Sequence, residues 1–247
     1  MQLSNMDVSD EGNFLTIPDH LKEVLFAHGL SSASIPLFLK SLALYFSANP
    51  KGANKNTEAD TLRSHLPKWI ASFFELAETW VLEKSDPITP RVDPMHSQHN
   101  LLQFLIAAKQ KGWKPKLVFV RSEHRNDNGL DTSENTTLLL IELLKITQTG
   151  IAVTTYKHWE PKIWQFAFLV GRAAGLAVRG VYIEDQLYQD LADQRILPVS
   201  ALKNEKGLWF PEKNINESIA RKFEDKIEIA DLIQELAHIA LQPTQLL

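Results

Sequence analysis

Residues that could bind a metal ion or transfer protons are concentrated in two polar stretches near the middle of the chain. They are Asp93, His96 and His99 in the first stretch, and Glu123, His124, Asp127 and Asp131 in the second. Imidazoles and carboxylates bind divalent metal ions, and a metal held by such residues would activate water for hydrolysis. The spacing matches no established motif such as H-E-x-x-H, so solvated turn residues are the competing interpretation.

Glu123, His124 and Asp127 form the predicted catalytic group. They follow directly on the apolar run from Leu117 to Val120, which is typical of a buried strand. Without a metal, Glu123 and His124 could act as general base and general acid, a role that requires a pKa tuned by burial toward the working pH. Asn-Asp-Asn-Gly at 126–129 predicts a loop, and ligands bind α/β sheets at such strand ends.

Two further polar groups follow predicted strands. His158 and Glu160 come after the second strand, and Glu184 and Asp185 after the third. If the three strands are parallel, their carboxyl ends lie at one edge of the sheet. The sequence then predicts one pocket that contains His124, Asp127, His158, Glu160, Glu184 and Asp185.

A weaker alternative is DNA binding by a winged helix. A predicted helix at 184–194 precedes a predicted hairpin at 196–211, with Lys203 and Lys206 at its tip. Four acidic residues in that helix argue against contacts with phosphates and base edges. The formal net charge of −4 provides no global attraction to nucleic acid.

Gly171 and Gly175 superficially resemble a glycine-rich phosphate loop. They lie inside an apolar helical run and not between a strand and a helix, so the context of a dinucleotide fingerprint is absent. The pattern favours close packing of a helix against a neighbour.

The first third of the chain has the pattern of an all-helical region. We predict a lead-in at 1–13, a helical region at 14–84 and a linker at 85–94, which contains three prolines. Apolar and aromatic residues recur at helical spacing between 69 and 81 and again between 229 and 240. Such stripes are core surfaces by default and partner surfaces as the alternative.

After the linker, predicted helices and strands alternate within a helix-rich α/β region at 95–247. Strands are predicted at 117–120, 151–156 and 181–183, and helices at 98–111, 133–146, 163–178 and 227–241. Alternation of this kind indicates parallel βαβ units. The predicted fold class is therefore helix-rich α/β or α+β, with an amino-terminal helical region packed on a small, partly parallel sheet of three or more strands, and a carboxyl-terminal hairpin and helix.

Composition narrows the function. The chain has no cysteine, which excludes a disulfide scaffold and thiolate chemistry. The acidic amino end has no signal-peptide pattern, and no apolar run is long enough to cross a membrane. We predict a soluble, cytoplasmic protein with no membrane partner.

No motif is specific for one chemistry, so two function classes remain open. The first is a non-enzymatic intracellular binding or adaptor protein, a component of a larger protein or nucleoprotein assembly with a protein partner. The second is a metal-dependent hydrolase, for example a nuclease, that uses the His, Asp and Glu residues at the strand ends. Exposed apolar patches would favour the first class, and convergence of these residues within metal-ligand reach would favour the second.

Overall fold

A computed structural model of the 247-residue chain describes residue 17 and residues 19–48, 58–84, 87–89, 97–123, 137–224 and 227–239. Four helices come first: α1 (Asp19–Ala27), α2 (Ile35–Ala48), α3 (Glu58–Phe74) and α4 (Glu78–Glu83). The later helices are α5 (Ser97–Gln110), α6 (Trp164–Ala173), α7 (Asp185–Ala192), α8 (Pro198–Leu202), α9 (Glu217–Glu224) and α10 (Ile227–His238). None of the helices in these described ranges is long and apolar enough to span a membrane.

The predicted apolar stripes are core surfaces. Ile70, Phe74 and Val81 are completely buried, and Leu236 anchors α10 in the same hydrophobic cluster. The helical character of both stripes is thereby confirmed, although residues 75–77 separate α3 from α4. Trp69, Trp80, Leu232 and Ile233 are only partly buried, so the alternative of a partner surface stays a prediction.

One mixed sheet of five strands lies at the centre. Its strands are β1 (Lys114–Ser122), β2 (Leu138–Ile146), β3 (Ala152–Trp159), β4 (Ala177–Ile183) and β5 (Gly207–Trp209), and their spatial order is β3-β2-β1-β4-β5. β1 pairs antiparallel with β2 and parallel with β4, while β2–β3 and β4–β5 are antiparallel. This arrangement confirms the helix-rich mixed fold class with a partly parallel sheet.

Strand β2 corrects a sequence prediction. We expected a helix at 133–146, but Leu138–Ile146 is the strand between β1 and β3. Its apolar run is buried on both faces of the sheet, and such a run has neither the period of a helix nor that of a half-exposed strand. Pairing on both sides overrides the helical propensity of its leucines.

The predicted hairpin at 196–211 is also wrong. Pro198 occupies the first turn of the short helix α8, where its missing N–H costs nothing. β5 then pairs with β4 and not with residues 196–202. Lys203 and Lys206 therefore do not lie at the tip of a wing.

The two faces of the sheet are covered unequally. The larger hydrophobic cluster joins the amino-terminal helices, α5 and α6 to one face, and a smaller cluster under α7 and α8 covers the other. Gly171 permits the close approach of α6, because a Cβ atom there would lie 2.7 Å from Leu117 Cδ1. This contact supports the packing interpretation for Gly171 but not for Gly175, where a Cβ atom would have no atom within 4 Å. The division at 85–94 stays a prediction, although Ile88 and Thr89 within it are buried.

Candidate functional site

Several predicted site residues lie outside the described residues: Asp93, His96, His124, Asp127 and Asp131. The metal and hydrolase hypotheses that depend on them stay predictions. Of the described members, His99 is exposed on α5. Among the described residues, no group of three or more potential ligands is arranged to hold a metal ion.

The predicted shared edge of the sheet exists in part. β1 and β4 run in the same direction, and the Glu123 backbone N–H donates a hydrogen bond to the Ile183 carbonyl oxygen at 2.9 Å. Glu184 follows directly and is exposed like Glu123, and Asp185 accepts a hydrogen bond from the Ser122 hydroxyl. β2 runs antiparallel to β1, and β3 runs antiparallel to β2. β3 therefore has the same direction as β1 and ends at the same edge of the sheet.

His158 and Glu160 lie apart from these carboxylates, because β2 separates β3 from β1. His158 pairs with Leu140 and is buried, and Glu160 is half-buried just before a 3₁₀ turn at Pro161–Ile163. The two lysines of the supposed wing have structural contacts. Lys203 Nζ donates to the Ala27 carbonyl oxygen at 2.9 Å, and the Lys206 backbone N–H donates to Tyr182 O at 2.8 Å.

Burial lowers the pKa of His158 from its ordinary 6.5 to about 4. Between these values the unfolded chain binds a proton that the folded protein does not, so the free energy of unfolding falls as the pH decreases. When the pH is lowered from about 8 to about 5, we expect the free energy of unfolding of the His158→Leu variant to fall by about 2 kcal/mol less than that of wild type. Urea unfolding at both pH values measures this difference. The exposed-site variant His99→Gln should follow wild type, and equal losses in all three proteins would contradict the prediction.

A cavity of about 330 Å³ lies elsewhere, on the helical side of the sheet. It is lined by α2, the end of α3 and the turn after it, α5, the connection from α5 to β1, and β3. Its lining residues are Tyr45, Phe46, Ala71, Ser72, Phe73, Glu75, Leu76, Phe104, Ala107, Ala108, Lys111, Trp113 and Lys157. Five aromatic side chains and two lysines thus surround one carboxylate.

Glu75 occupies a strained position at the end of α3. Its φ of 60° is in the left-handed region that favours glycine, and the Leu76 N–H donates to the Ala71 carbonyl oxygen, as in a Schellman helix end. This turn directs the carboxylate toward two amines: Lys145 Nζ at 3.2 Å and Lys157 Nζ at 3.7 Å. The pKa of Tyr45 is raised, mainly by burial and to a lesser extent by the negative charge of Glu75.

Lys145 is completely buried immediately behind the cavity wall. Its Nζ donates to the Phe73 carbonyl oxygen and lies 4.0 Å from the centroid of the Trp113 ring. Burial lowers the pKa of Lys145 from 10.5 to about 8, which the carboxylate of Glu75 partly opposes. The sequence signal for this buried amine is a lysine within the apolar run at 138–146. Because that run was predicted to be a helix, the lysine was not recognised as a buried residue of the sheet.

Trp113 contributes to the cavity wall. Gly112, with a φ of 74°, ends α5 and places Trp113 before β1, where Lys111 Nζ lies 4.6 Å from the centroid of its ring. Trp113 is 6% exposed, and among the described residues its indole N–H has no hydrogen-bond partner. A buried donor without a partner is costly, and this nitrogen has no surface open to the cavity.

No protein family, curated protein or solved structure matches this chain in the comparisons with known proteins.

Proposed function

We propose that the protein is a non-enzymatic binding protein whose cavity takes a small organic anion with an aromatic or apolar body. The supporting observation is the composition of the cavity wall, in which the amines of Lys111 and Lys157 and the nearby Lys145 outnumber the single carboxylate of Glu75. The proposal belongs to the first predicted function class, a non-enzymatic binding protein. It places the binding site in the cavity and not on the apolar stripes. Membership of a larger assembly stays a prediction.

The size and lining of the cavity limit the ligand. A volume of about 330 Å³ is at the lower end of the range for ligand sites, about 300 to 1,000 Å³, so the ligand is compact. The rings of Phe46, Phe104 and Trp113 offer apolar and stacking surfaces. The lysine amines are donors, so the ligand carries acceptors, and a carboxylate supplies two of them.

A titration monitored by tryptophan fluorescence or calorimetry tests the proposal with three probes of similar shape: 4-methylbenzoate, 4-methylbenzyl alcohol and 4-methylbenzylamine. We expect the carboxylate to bind at least about tenfold more tightly than the neutral alcohol, and the amine not to bind. Removing one lysine of the wall by Lys157→Met should weaken binding of the carboxylate about tenfold. High salt should weaken it as well.

The matched control is Lys114→Met, which removes an exposed lysine at the start of β1 and should leave binding unchanged. Equal affinity for the alcohol and the carboxylate, or equal weakening by both substitutions, would show that the wall does not select an anion. Failure of all three probes to bind would sink the proposed function.

A further inference from the structure

The buried amine of Lys145 is separated from the cavity by only one layer of atoms. Its Nζ contacts the Phe73 carbonyl oxygen, the Glu75 carboxylate at 3.2 Å and the ring of Trp113 at 4.0 Å. Each of these three residues lines the cavity. The amine thus lies directly behind the cavity wall, and its side chain has no exposed surface.

The surroundings of Lys145 favour an unprotonated amine, which is the nucleophilic form. A lysine is activated by burial in apolar surroundings and by neighbouring cations. Both conditions hold here, because desolvation lowers the pKa of Lys145 to about 8 and the charges of Lys111 and Lys157 act in the same direction. Near neutral pH, roughly one Lys145 amine in ten is therefore unprotonated, against fewer than about one in a thousand for a solvent-exposed lysine.

Glu75 lines the cavity in contact with Nζ, and it has a second partner. Its other carboxylate oxygen lies 3.7 Å from Lys157 Nζ, so the carboxylate keeps an ion-pair partner if it turns away from Lys145. The residue lies in a single-residue turn with a strained backbone, between α3 and Leu76. Such strain occurs at sites where a side chain must be held in an unusual position.

We propose that Lys145 captures the carbonyl carbon of a small aldehyde or keto acid as an imine. This inference rests on the proposed function, since the same cavity admits the ligand, and it assigns a carbonyl group to the ligand in addition to the anion. The Nζ lone pair forms the C–N bond, the carbonyl oxygen takes up a proton to give a carbinolamine, and loss of one water molecule leaves the imine. No oxidant or reductant is required.

Glu75 is placed to carry the protons of these steps. Its carboxylate, 3.2 Å from Nζ, accepts the proton that nitrogen releases on addition. Glu75 passes this proton to the carbonyl oxygen, which gives the carbinolamine, and then accepts the second nitrogen proton and delivers it to the departing hydroxyl group, which leaves as water. Glu75 is thus a proton carrier at the reacting nitrogen.

Reductive trapping with 4-carboxybenzaldehyde and cyanoborohydride tests the proposal, and peptide mass spectrometry locates the adduct. We expect one dominant adduct, on Lys145, that forms at least about tenfold faster than an adduct on any other lysine. Excess 4-methylbenzoate should suppress it. The variant Glu75→Gln, which keeps the shape but not the proton acceptor, should trap the aldehyde about a hundredfold more slowly.

Two variants keep the test decisive. Lys145→Met should abolish the dominant adduct, whereas Lys40→Met, which removes an exposed lysine of α2, should leave it unchanged. Circular dichroism confirms that each variant is folded. Adducts spread over exposed lysines, or an unchanged adduct pattern in Lys145→Met, would overturn the proposal. Binding of 4-methylbenzoate is measured on the same sample, so loss of the imine alone leaves the proposed function intact.

Discussion

The variant Lys145→Met is expected to be more stable than wild type by about 2 kcal/mol at neutral pH. The drop in the pKa of Lys145 from 10.5 to about 8 means that the folded protein disfavours the charged amine by about 3 kcal/mol. Methionine fills a similar volume without that charge. Loss of the hydrogen bond to the Phe73 carbonyl oxygen, at the end of α3, costs about 1 kcal/mol of this gain.

The pH dependence of the same variant provides an independent check. Because the pKa of Lys145 is lower in the folded protein than in the unfolded chain, the unfolded chain binds more protons between about pH 8 and 10.5. The free energy of unfolding of wild type should therefore receive a rising contribution across that window, which Lys145→Met lacks. Urea unfolding at about pH 7 and about pH 10 measures both effects.

Lys157→Met is the matched control for this prediction, because Lys157 also pairs with Glu75 but is not completely buried. Its stability should stay within about 0.5 kcal/mol of wild type at both pH values. If Lys145→Met were less stable than wild type at neutral pH, the ion pair with Glu75 would outweigh the desolvation of the amine.

The variant Gly180→Ala is expected to lose about 3 kcal/mol of stability. A Cβ atom at this position of β4 would lie 2.5 Å from the Trp209 carbonyl oxygen and 2.9 Å from its ring. The carbonyl oxygen belongs to the backbone, so it can move only if β5 shifts. Overpacking of this kind destabilises a protein core. The shift would disturb the hydrogen bond from the Trp209 indole N–H to the Phe119 carbonyl oxygen and the stacking of Arg121 on the Trp209 ring at 3.9 Å.

Gly207→Ala is the control for Gly180→Ala, because it adds the same methyl group to β5, where no atom lies within 4 Å. Its stability should change by no more than about 0.5 kcal/mol. Urea unfolding gives the stabilities, and near-ultraviolet circular dichroism reports the surroundings of Trp209. Equal stability of the two variants would show that β4 and β5 separate without cost.

The elements with a clear local signal were predictable from the sequence. Leu117–Val120 lies within β1, and the apolar positions of α10 face the core as their spacing indicates. β2 was not predictable by periodicity, because its residues are buried by strands and helices that are distant in sequence. The prediction for 196–202 was also wrong. A strand was predicted there, but Pro198–Leu202 form a helix that begins at the proline.

The cavity was beyond sequence analysis for a related reason. Glu75 and Lys145 are separated by 70 residues and meet only after α3 packs against the sheet. Neither residue belongs to a motif, and the left-handed backbone of Glu75 has no signature in residue type. The predicted edge group was found because its members follow strands directly. Its convergence with His124 and Asp127 stays a prediction.

The central position of β1 has a consequence for synthesis on the ribosome. One edge of β1 pairs with β2, which follows closely in the chain, whereas its other edge pairs with β4 at residues 177–183. A nascent chain that has emerged only as far as β3 can form the β1–β2–β3 meander but leaves an apolar strand edge open. Until β4 has been synthesised, that edge is therefore available for pairing with another chain.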